Sequence, residues 1–322
     1  MSRSVPIEGV FLSPIVDLAT RYSETFSAFA DRVRIRLPDE IEDPSVVRFA
    51  VAWGPEPDAF ARYPNLLVVS SIAAGVDALL ANPSLPKNAY VTRLFDDDQA
   101  DMMAGFAAWH VIWHHRNMAN FLAQQEQHIW KRMGYRTIIP PCEYPVGVLG
   151  YGLMGKAVAK AVSAMGFPVI AAVRHPREDE AEGAISFESG PEAVSKVAAR
   201  SRSLINVLPL TNETRGVLNY DLFSAMPKGA VLVQLGRGDQ LVEKDLQRAL
   251  DEGHLSGASL DVFETEPMPK DHPWWSDPRI LVTPHVASEG TPRTLARQVC
   301  AAVEAAVAGE RPVTAVSREK GY

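Results

Sequence analysis

Three glycines that follow an apolar segment constrain the fold of this chain more than any other feature. Val146–Leu149 is an apolar run that leads into Gly150, Gly152 and Gly155, and a helical pattern follows over Leu153–Met165. The first glycine permits a tight turn, the second lets the backbone approach a pyrophosphate, and the third lets the helix pack on the strand. Phosphates bind at the positive N-terminus of such a helix. The cofactor-binding candidates of this turn are Gly150, Gly152, Leu153, Met154 and Gly155.

The residues after the second apolar run indicate which dinucleotide is bound. Pro168–Val173 completes a βαβ unit, and NAD enzymes place a carboxylate at the tip of this strand to accept hydrogen bonds from the ribose. This chain has Arg174, His175 and Arg177 there, and its first carboxylate, Glu178, lies beyond them. Because the planar fork of arginine suits a 2′-phosphate, the sequence favours NADP(H) and leaves NAD(H) open. The alternative is a solvated basic turn that binds no ligand.

Length and composition exclude several classes of protein. A chain of 322 residues exceeds what one core usually organises, so two domains are expected. The net charge is −7 and basic residues are scattered, so no nucleic-acid partner is expected. Glu8, Pro14 and Asp17 interrupt the N-terminus before a signal-like core forms, and no run reaches the length of a membrane span. Cys142 and Cys300 lie in apolar surroundings typical of reduced thiols, which fits the cytoplasm.

Apolar runs alternate with helical patterns along the whole chain, which predicts an α/β architecture with parallel sheets. The region 100–133 has almost no glycine or proline and predicts one or two helices. The last helical pattern, Thr291–Ala308, is expected to return to the first domain. The predicted domains are a substrate domain of residues 1–99 and 288–322 and a nucleotide-binding domain of residues 100–287. The predicted strands are Ile7–Leu12, Arg34–Leu37, Arg48–Trp53, Leu66–Ile72, Ala89–Leu94, Ser203–Leu208, Ala230–Leu235, Gly257–Asp261 and Ile280–Val282.

Four further motifs follow the glycine turn in a fixed order. They are LPLTNETRG at Leu208–Gly216, QLGRG at Gln234–Gly238, LDVFETEP at Leu260–Pro267 and TPHVA at Thr283–Ala287. In order and spacing the chain resembles the D-isomer-specific 2-hydroxyacid dehydrogenases, in particular their glyoxylate/hydroxypyruvate reductase branch. The resemblance runs from about residue 66 to the end. It implies a Rossmann nucleotide-binding domain, a flavodoxin-like substrate domain, a homodimer, and NADPH-dependent reduction of a small 2-keto acid to the D-2-hydroxy acid.

The expected reaction needs a cation for the substrate carboxylate and an acid for the nascent alkoxide. Arg237, Glu266 and His285 each follow a predicted strand, at the edge where open α/β sheets bind ligands. The resemblance implies that Arg237 binds the 2-keto acid, that His285 is the general acid, and that Glu266 hydrogen-bonds His285. A carboxylate beside an imidazole favours the charged form of the imidazole.

The resemblance implies further binding residues in both domains. Leu208, Pro209 and Thr214 would face the cofactor, although Thr211 and Thr214 are equally suited to a plain turn. Asp261 would contact the nicotinamide carboxamide or else cap a loop. Backbone N–H groups of Ala74, Gly75 and Val76 would bind the substrate carboxylate, or the segment is a simple strand-to-helix turn. Trp53 would line the substrate pocket or belong to the core, and Arg93 would lie near the domain junction or form a structural ion pair.

The sequence departs from the family at two positions beside the expected catalytic arginine. The family commonly has Asn and Ala where this chain has Gln234 and Gly236, and the glycine is expected to loosen the turn slightly. His110, His114 and His115 have helical spacing, but no carboxylate or cysteine completes a metal site, so no metal is expected.

Other activities are less consistent with the motifs but remain alternatives. A dehydrogenase for a bulkier 2-keto acid and a non-catalytic nucleotide sensor would share the fold, although the three intact catalytic candidates argue against a sensor. A formate enzyme would have Gln in place of Glu266, and a phosphoglycerate enzyme often carries an extra regulatory domain. L-specific lactate and malate dehydrogenases place the glycine turn at the N-terminus rather than at residue 150.

Overall fold

The computed structural model describes residues 5–132, 139–176 and 185–321. The chain forms two compact units. Unit 1 consists of Met1–Asp98 and Glu289–Tyr322, and unit 2 consists of Gln99–Ser288. Each unit contains its own sheet, and all the strand pairs are parallel, so the predicted fold class is confirmed.

Unit 1 contains a five-stranded sheet with the strand order β2-β1-β3-β4-β5, which is the flavodoxin-like order. Its described helices are α1 (Leu18–Ser27), α2 (Asp77–Leu80) and α9 (Pro292–Val307). Helix α1 forms because Leu18, Tyr22 and Phe26 share one buried face and Asp17 caps the N-terminus by accepting the Thr20 N–H. The strands are β1 (Ile7–Leu12), β2 (Val33–Arg36), β3 (Val47–Ala52), β4 (Val68–Ser71) and β5 (Tyr90–Thr92).

Helix α9 completes the core of unit 1 from the far end of the chain. Leu295, Val299 and Val303 are buried in one cluster with residues of β1, α1 and β3. Cys300 lies in the same cluster, and burial raises the pKa of its thiol to about 11, so it stays a protonated, unreactive thiol. Cys142 is exposed, so the expected apolar surroundings are wrong for this cysteine. It lies in a short 3-10 helix that connects two elements, where no core surrounds it.

Unit 2 contains a seven-stranded sheet with the order β12-β11-β10-β9-β6-β7-β8. Counted from β6, this is the Rossmann order 3-2-1-4-5-6 with one further strand. The order reverses between β6 and β9, and ligands bind outside the carboxyl ends of the strands at such a point. The strands are β6 (Val146–Leu149), β7 (Val169–Val173), β8 (Ile185–Ser189), β9 (Ser203–Asn206), β10 (Ala230–Gln234), β11 (Leu255–Leu260) and β12 (Ile280–Val282).

The helices of unit 2 cover both faces of this sheet, and two hydrophobic clusters lie between the layers. The predicted helical region 100–133 forms two helices in its described part, α3 and α4. Among the described residues, no helix has the length and apolar character that crossing a membrane requires. The helices are α3 (Asp97–His115), α4 (Met118–Glu126), α5 (Leu153–Ala164), α6 (Ala193–Ala199), α7 (Tyr220–Ala225) and α8 (Glu243–Asp251).

Two histidines of α3 share a buried serine of β11. The Oγ of Ser259 lies 2.8 Å from His110 Nδ1 and 2.8 Å from His114 Nε2. Burial lowers the pKa of both imidazoles to about 4, and for His114 the neighbouring His110 adds to the effect. Both rings are therefore neutral at physiological pH. No cluster of three or more metal-ligating side chains occurs in the part of the chain that the structure describes.

Candidate active site

The glycine turn has the geometry of a phosphate-binding cradle. Gly150 has φ +96°, a conformation that favours glycine, and a Cβ at Gly155 would lie 1.9 Å from the carbonyl oxygen of Gly150. A Cβ at Gly152 would meet nothing within 4 Å, so the space before the N-terminus of α5 is open. Leu153 and Met154 begin this helix, where backbone N–H groups point outward. The residues present therefore fit a dinucleotide pyrophosphate.

The loop after β9 lies directly against this cradle. A Cβ at Gly150 would be 3.2 Å from the carbonyl oxygen of Val207 and 3.4 Å from Cα of Leu208. The Thr214 hydroxyl donates to the carbonyl of Pro209 at 2.7 Å and accepts the Thr211 N–H at 2.8 Å. Thr214 thus closes the loop internally and fixes Leu208 and Pro209 beside the glycine turn.

The basic turn after β7 is only partly described. Arg174 follows the strand directly, and its Nη2 donates to Glu213 Oε2 at 3.0 Å. Both side chains are largely exposed, at 48% and 78%, and His175 is exposed as well. Arg177 lies outside the described residues. An exposed ion pair of this kind is weak, so its contribution to stability is small.

Glu266 and His285 form a hydrogen-bonded pair in unit 2. His285 Nδ1 lies 2.8 Å from Glu266 Oε2, and the other carboxylate oxygen accepts the Phe263 N–H at 3.0 Å. Burial alone would raise the pKa of the Glu266 carboxyl, but these hydrogen bonds and the charges of His285 and Arg237 outweigh it and lower the pKa. The carboxylate is therefore ionised near neutral pH and can only accept. It follows that Nδ1 carries a proton and that Nε2 faces away from the pair.

Asp261 holds the loop that carries His285. Its buried carboxylate accepts the Thr283 hydroxyl at 2.6 Å and the N–H groups of Val286 and Ala287 at 3.0 Å each. His285 itself has φ +54°, a left-handed conformation that the surrounding hydrogen bonds must maintain. Asp261 therefore positions the histidine from both sides, and its predicted contact with the nicotinamide stays a prediction.

Arg237 comes next to this pair at the end of β10. The positive charge of Arg237 contributes to the lowered pKa of the Glu266 carboxyl. A Cβ at Gly238 would be 1.9 Å from the carbonyl carbon of Phe263. The turn Gly236–Gly238 that carries Arg237, here called the arginine turn, therefore packs against the loop that holds Glu266. Unit 2 thus brings together the segments that carry Arg237, Glu266 and His285, and their catalytic roles stay predictions.

The expectation that Gly236 loosens the arginine turn is wrong. A Cβ at Gly236 would lie 2.2 Å from Gln240 Oε1 and 2.7 Å from Asn206 Nδ2. The absence of a side chain lets two buried amides close on the turn and fix it. The sequence motifs did not identify Asn206 or Gln240. Asn206 reaches this turn only through the pairing of β9 with β10. Gln240 lies three residues after Arg237, but no motif marked it.

The remaining predicted residues lie in unit 1. Ser71 Oγ donates to the Gly75 carbonyl at 2.8 Å and accepts the Ala73 N–H at 3.1 Å, which shapes the turn after β4. Within the described chain, the N–H groups of Ala74, Gly75 and Val76 donate no hydrogen bond, as an anion-binding turn requires. Half-buried Trp53 follows β3, and the Arg93 guanidinium lies 4.3 Å from the centre of the Phe95 ring.

Comparison with known proteins identifies relatives over almost the whole chain. Residues 108–287 match the family described as D-isomer specific 2-hydroxyacid dehydrogenase, NAD binding domain. The glyoxylate/hydroxypyruvate reductase A of Serratia proteamaculans is 37% identical over 279 residues, which is 85% of this chain and 87% of that protein. The protein of the same description from Yersinia enterocolitica is 34% identical over the same length and coverage.

Solved structures resemble the fold closely. A D-isomer specific 2-hydroxyacid dehydrogenase from Xanthobacter autotrophicus in complex with NADPH superposes with a TM-score of 0.90, at 36% identity, over 98% of this chain and 100% of that chain. An NADPH-dependent glyoxylate/hydroxypyruvate reductase from Sinorhizobium meliloti in complex with NADP gives a TM-score of 0.88, at 30% identity, over 98% and 99% of the two chains.

Proposed function

This chain belongs to the D-isomer-specific 2-hydroxyacid dehydrogenase family, and on that premise we propose that it reduces glyoxylate or hydroxypyruvate with NADPH. The products are glycolate and D-glycerate. The observation that carries the proposal is the Glu266–His285 hydrogen bond of 2.8 Å beside Arg237, because these groups supply the acid and the cation that the reduction needs. The similarity to named glyoxylate/hydroxypyruvate reductases supports the choice of small substrates.

Each of the three residues has a separate role in the proposed reaction. Arg237 binds the substrate carboxylate and draws electron density from the keto group. His285 donates the proton on Nε2 to the oxygen that becomes the hydroxyl, while ionised Glu266 holds the ring in position and stabilises its positive charge. When bound, the reduced nicotinamide supplies the hydride. Trp53, Ala74, Gly75 and Val76 remain predicted substrate-binding residues.

NADP(H) is the preferred cofactor in this proposal, and NAD(H) is accepted less well. The cradle of Gly150, Gly152 and Gly155 would hold the pyrophosphate at the N-terminus of α5, and Leu208 and Pro209 would lie along the same site. Arg174 would bind the 2′-phosphate in place of Glu213. NADPH- and NADP-bound relatives support this assignment.

We also propose a homodimer in the cytoplasm. Exposed apolar side chains occur along α3 and α4 and just beyond them, among them Trp109 at 49% and Trp130 at 95% exposure. Covering these rings removes apolar surface from water, which favours association of two copies. The two free cysteines are consistent with a reducing compartment. Light scattering after size exclusion measures the mass, and a monomer at micromolar concentration would contradict the dimer.

A steady-state assay tests the proposed activity directly. Glyoxylate, hydroxypyruvate, pyruvate, phenylpyruvate and 2-ketoisocaproate are each compared with NADPH and with NADH. We expect the highest kcat/KM for glyoxylate or hydroxypyruvate with NADPH. A higher kcat/KM for phenylpyruvate or 2-ketoisocaproate would refute the substrate assignment and leave the reaction class intact. Absence of turnover with every 2-keto acid would favour a nucleotide-sensing protein.

A further inference from the structure

Three fully buried amide side chains surround the backbone of Arg237. Asn206 lies at the end of β9, Gln234 at the end of β10, and Gln240 just after the arginine turn, and all three have 0% exposure. Asn206 Nδ2 donates to Gln234 Oε1 at 2.7 Å and to Gln240 Oε1 at 2.8 Å. We name Asn206, Gln234 and Gln240 the amide cluster.

The amide cluster holds Arg237 from both sides. The Arg237 N–H donates to Gln240 Oε1 at 2.9 Å, and its carbonyl accepts Gln234 Nε2 at 2.8 Å. Both peptide groups that flank the Cα of the arginine are therefore fixed by buried side chains. A guanidinium that binds a planar carboxylate requires this kind of support, because small errors of position cost much of the binding energy.

The same cluster reaches the loop beside the glycine turn. Gln240 Nε2 donates to the carbonyls of Leu208 and Pro209 at 3.1 Å each, and Asn206 Oδ1 accepts the Leu208 N–H at 3.3 Å. One set of hydrogen bonds thus connects the proposed substrate arginine with the proposed cofactor loop.

The backbone partners determine the orientation of every amide. Gln234 turns its oxygen toward the Gly236 N–H and its nitrogen toward the Arg237 carbonyl. Gln240 turns its oxygen toward the Arg237 N–H and its nitrogen toward the carbonyls of Leu208 and Pro209. Two amide oxygens therefore face Asn206, which must present its NH₂ group to them. An aspartate in place of Asn206 has the same shape, but its carboxylate repels the amide oxygens of Gln234 and Gln240.

We infer that Asn206, Gln234 and Gln240 are positioning residues for Arg237, and that Gly236 is required because any side chain there displaces the cluster. The inference rests on the proposed role of Arg237 in substrate binding. It gives a reason for the two departures at Gln234 and Gly236: the longer amide spans from Asn206 to the Arg237 carbonyl, and the glycine provides the space for Gln240.

Isosteric substitutions test the inference without changing side-chain volume. Asn206→Asp and Gln240→Glu should each raise the KM for glyoxylate about tenfold to a hundredfold, with a smaller effect on kcat, because a buried unsatisfied group displaces the arginine. Asn88→Asp is the matched control, since Asn88 is exposed in unit 1 and makes the same chemical change. It should leave KM unchanged. Melting temperatures identify any variant that fails to fold.

A double-mutant cycle gives a second measurement that does not depend on the aspartate variant folding. Gly236→Ala should raise the KM for glyoxylate about tenfold in the parent, where the new methyl meets both Gln240 and Asn206, and by a clearly smaller factor in Gln240→Ala, where the closer of these two contacts is gone. Additive effects would overturn the inference. Unchanged KM in folded Asn206→Asp and Gln240→Glu would overturn it as well.

Arg237→Ala separates failure of this inference from failure of the proposed function. If Arg237→Ala raises KM strongly while folded cluster variants do not, the amide cluster has no positioning role and the proposed function stands. If Arg237→Ala leaves KM unchanged, the arginine does not bind the substrate, and both the proposed role and the inference are wrong.

Discussion

At the scale of single residues, two substitutions of His285 distinguish the catalytic role of its side chain from the strain of its left-handed backbone. We expect His285→Ala to lower kcat by about 10²–10⁴-fold, the usual contribution of a general acid, while NADPH still binds. Because φ is +54° here, alanine also adds backbone strain, whereas asparagine tolerates this region. His285→Asn should therefore lose the same turnover with a smaller fall in melting temperature. Nucleotide fluorescence measures NADPH binding, and single-turnover rates measure the loss of catalysis. A near-parent kcat in either variant would exclude His285 as the acid.

The lowered pKa of Glu266 gives a pH dependence with a definite sign. The folded carboxyl ionises below its ordinary range, so the stability from its pair with His285 is present at neutral pH and is lost as pH falls through the folded pKa. In Glu266→Gln this ionisation is lost, so acidification should lower the unfolding free energy less than in the parent. The variant also loses the charge that orients His285, so kcat for reduction should fall. Parent-like kcat would remove Glu266 from the mechanism.

Arg174 should govern the choice between cofactors. Losing a charge-assisted contact with the 2′-phosphate costs on the order of 1.5–3 kcal/mol, so Arg174→Ala should raise the KM for NADPH strongly and leave NADH nearly unchanged. Glu213 accepts from the same guanidinium at 3.0 Å, so Glu213→Gln should lower the KM for NADPH slightly. The effect stays within about fivefold, because exposed ion pairs are weak. Equal kcat/KM for both cofactors in the parent would contradict the assignment.

At the scale of elements, Asp261 connects the end of β11 to the loop after β12. Its two oxygens accept three donors, and an amide at this position offers one oxygen and places N–H groups against a backbone N–H. Asp261→Asn should therefore lower both kcat and melting temperature, with a cost of about 1–3 kcal/mol in unfolding free energy. Asp271→Asn, at an exposed position, is the control. An effect on the KM for NADPH alone would favour the nicotinamide contact instead.

The sequence predicts strands that are continuous apolar runs and misses elements with weaker patterns. Strands β1 and β12 have the predicted ends, since both run into turn residues. The edge strand β8 was not predicted, because only Ile185 is buried in it and its other residues resemble a loop. Helix α1 was also missed, although its buried residues recur every four positions.

In the candidate site, the sequence predicts residues that are marked by local motifs and misses contacts that depend on the pairing of distant strands. Motif order predicts Arg237, Glu266 and His285, since each follows its own strand. The amide cluster could not be predicted, because Asn206 and Gln234 become neighbours only through the register of β9 with β10.

At the scale of the whole molecule, the buried histidines predict sensitivity to acid. Their folded pKa values, about 4, lie below the ordinary 6.5, so the unfolded chain takes up protons that the folded chain does not. The contribution of these two histidines to the unfolding free energy is thus fully present above pH 6.5 and is lost as pH is lowered toward 4. Buried His110 accounts for about 3 kcal/mol of this loss.

Urea unfolding at pH 7 and pH 5 measures the acid sensitivity. His110→Gln should reduce the difference between the two unfolding free energies, whereas His128→Gln, at an exposed position, should preserve it. The same pH dependence in parent and His110→Gln would show that other groups cause the loss.

The division of the chain into units also determines which unit can be completed first during translation. Unit 2 is one continuous segment, but unit 1 needs both ends of the chain, and α9 covers its sheet with residues translated after all of unit 2. On the ribosome, the first ninety-eight residues therefore expose an apolar sheet face during the whole synthesis of unit 2. We expect nascent chains to bind a chaperone at this face and to release it once α9 has emerged.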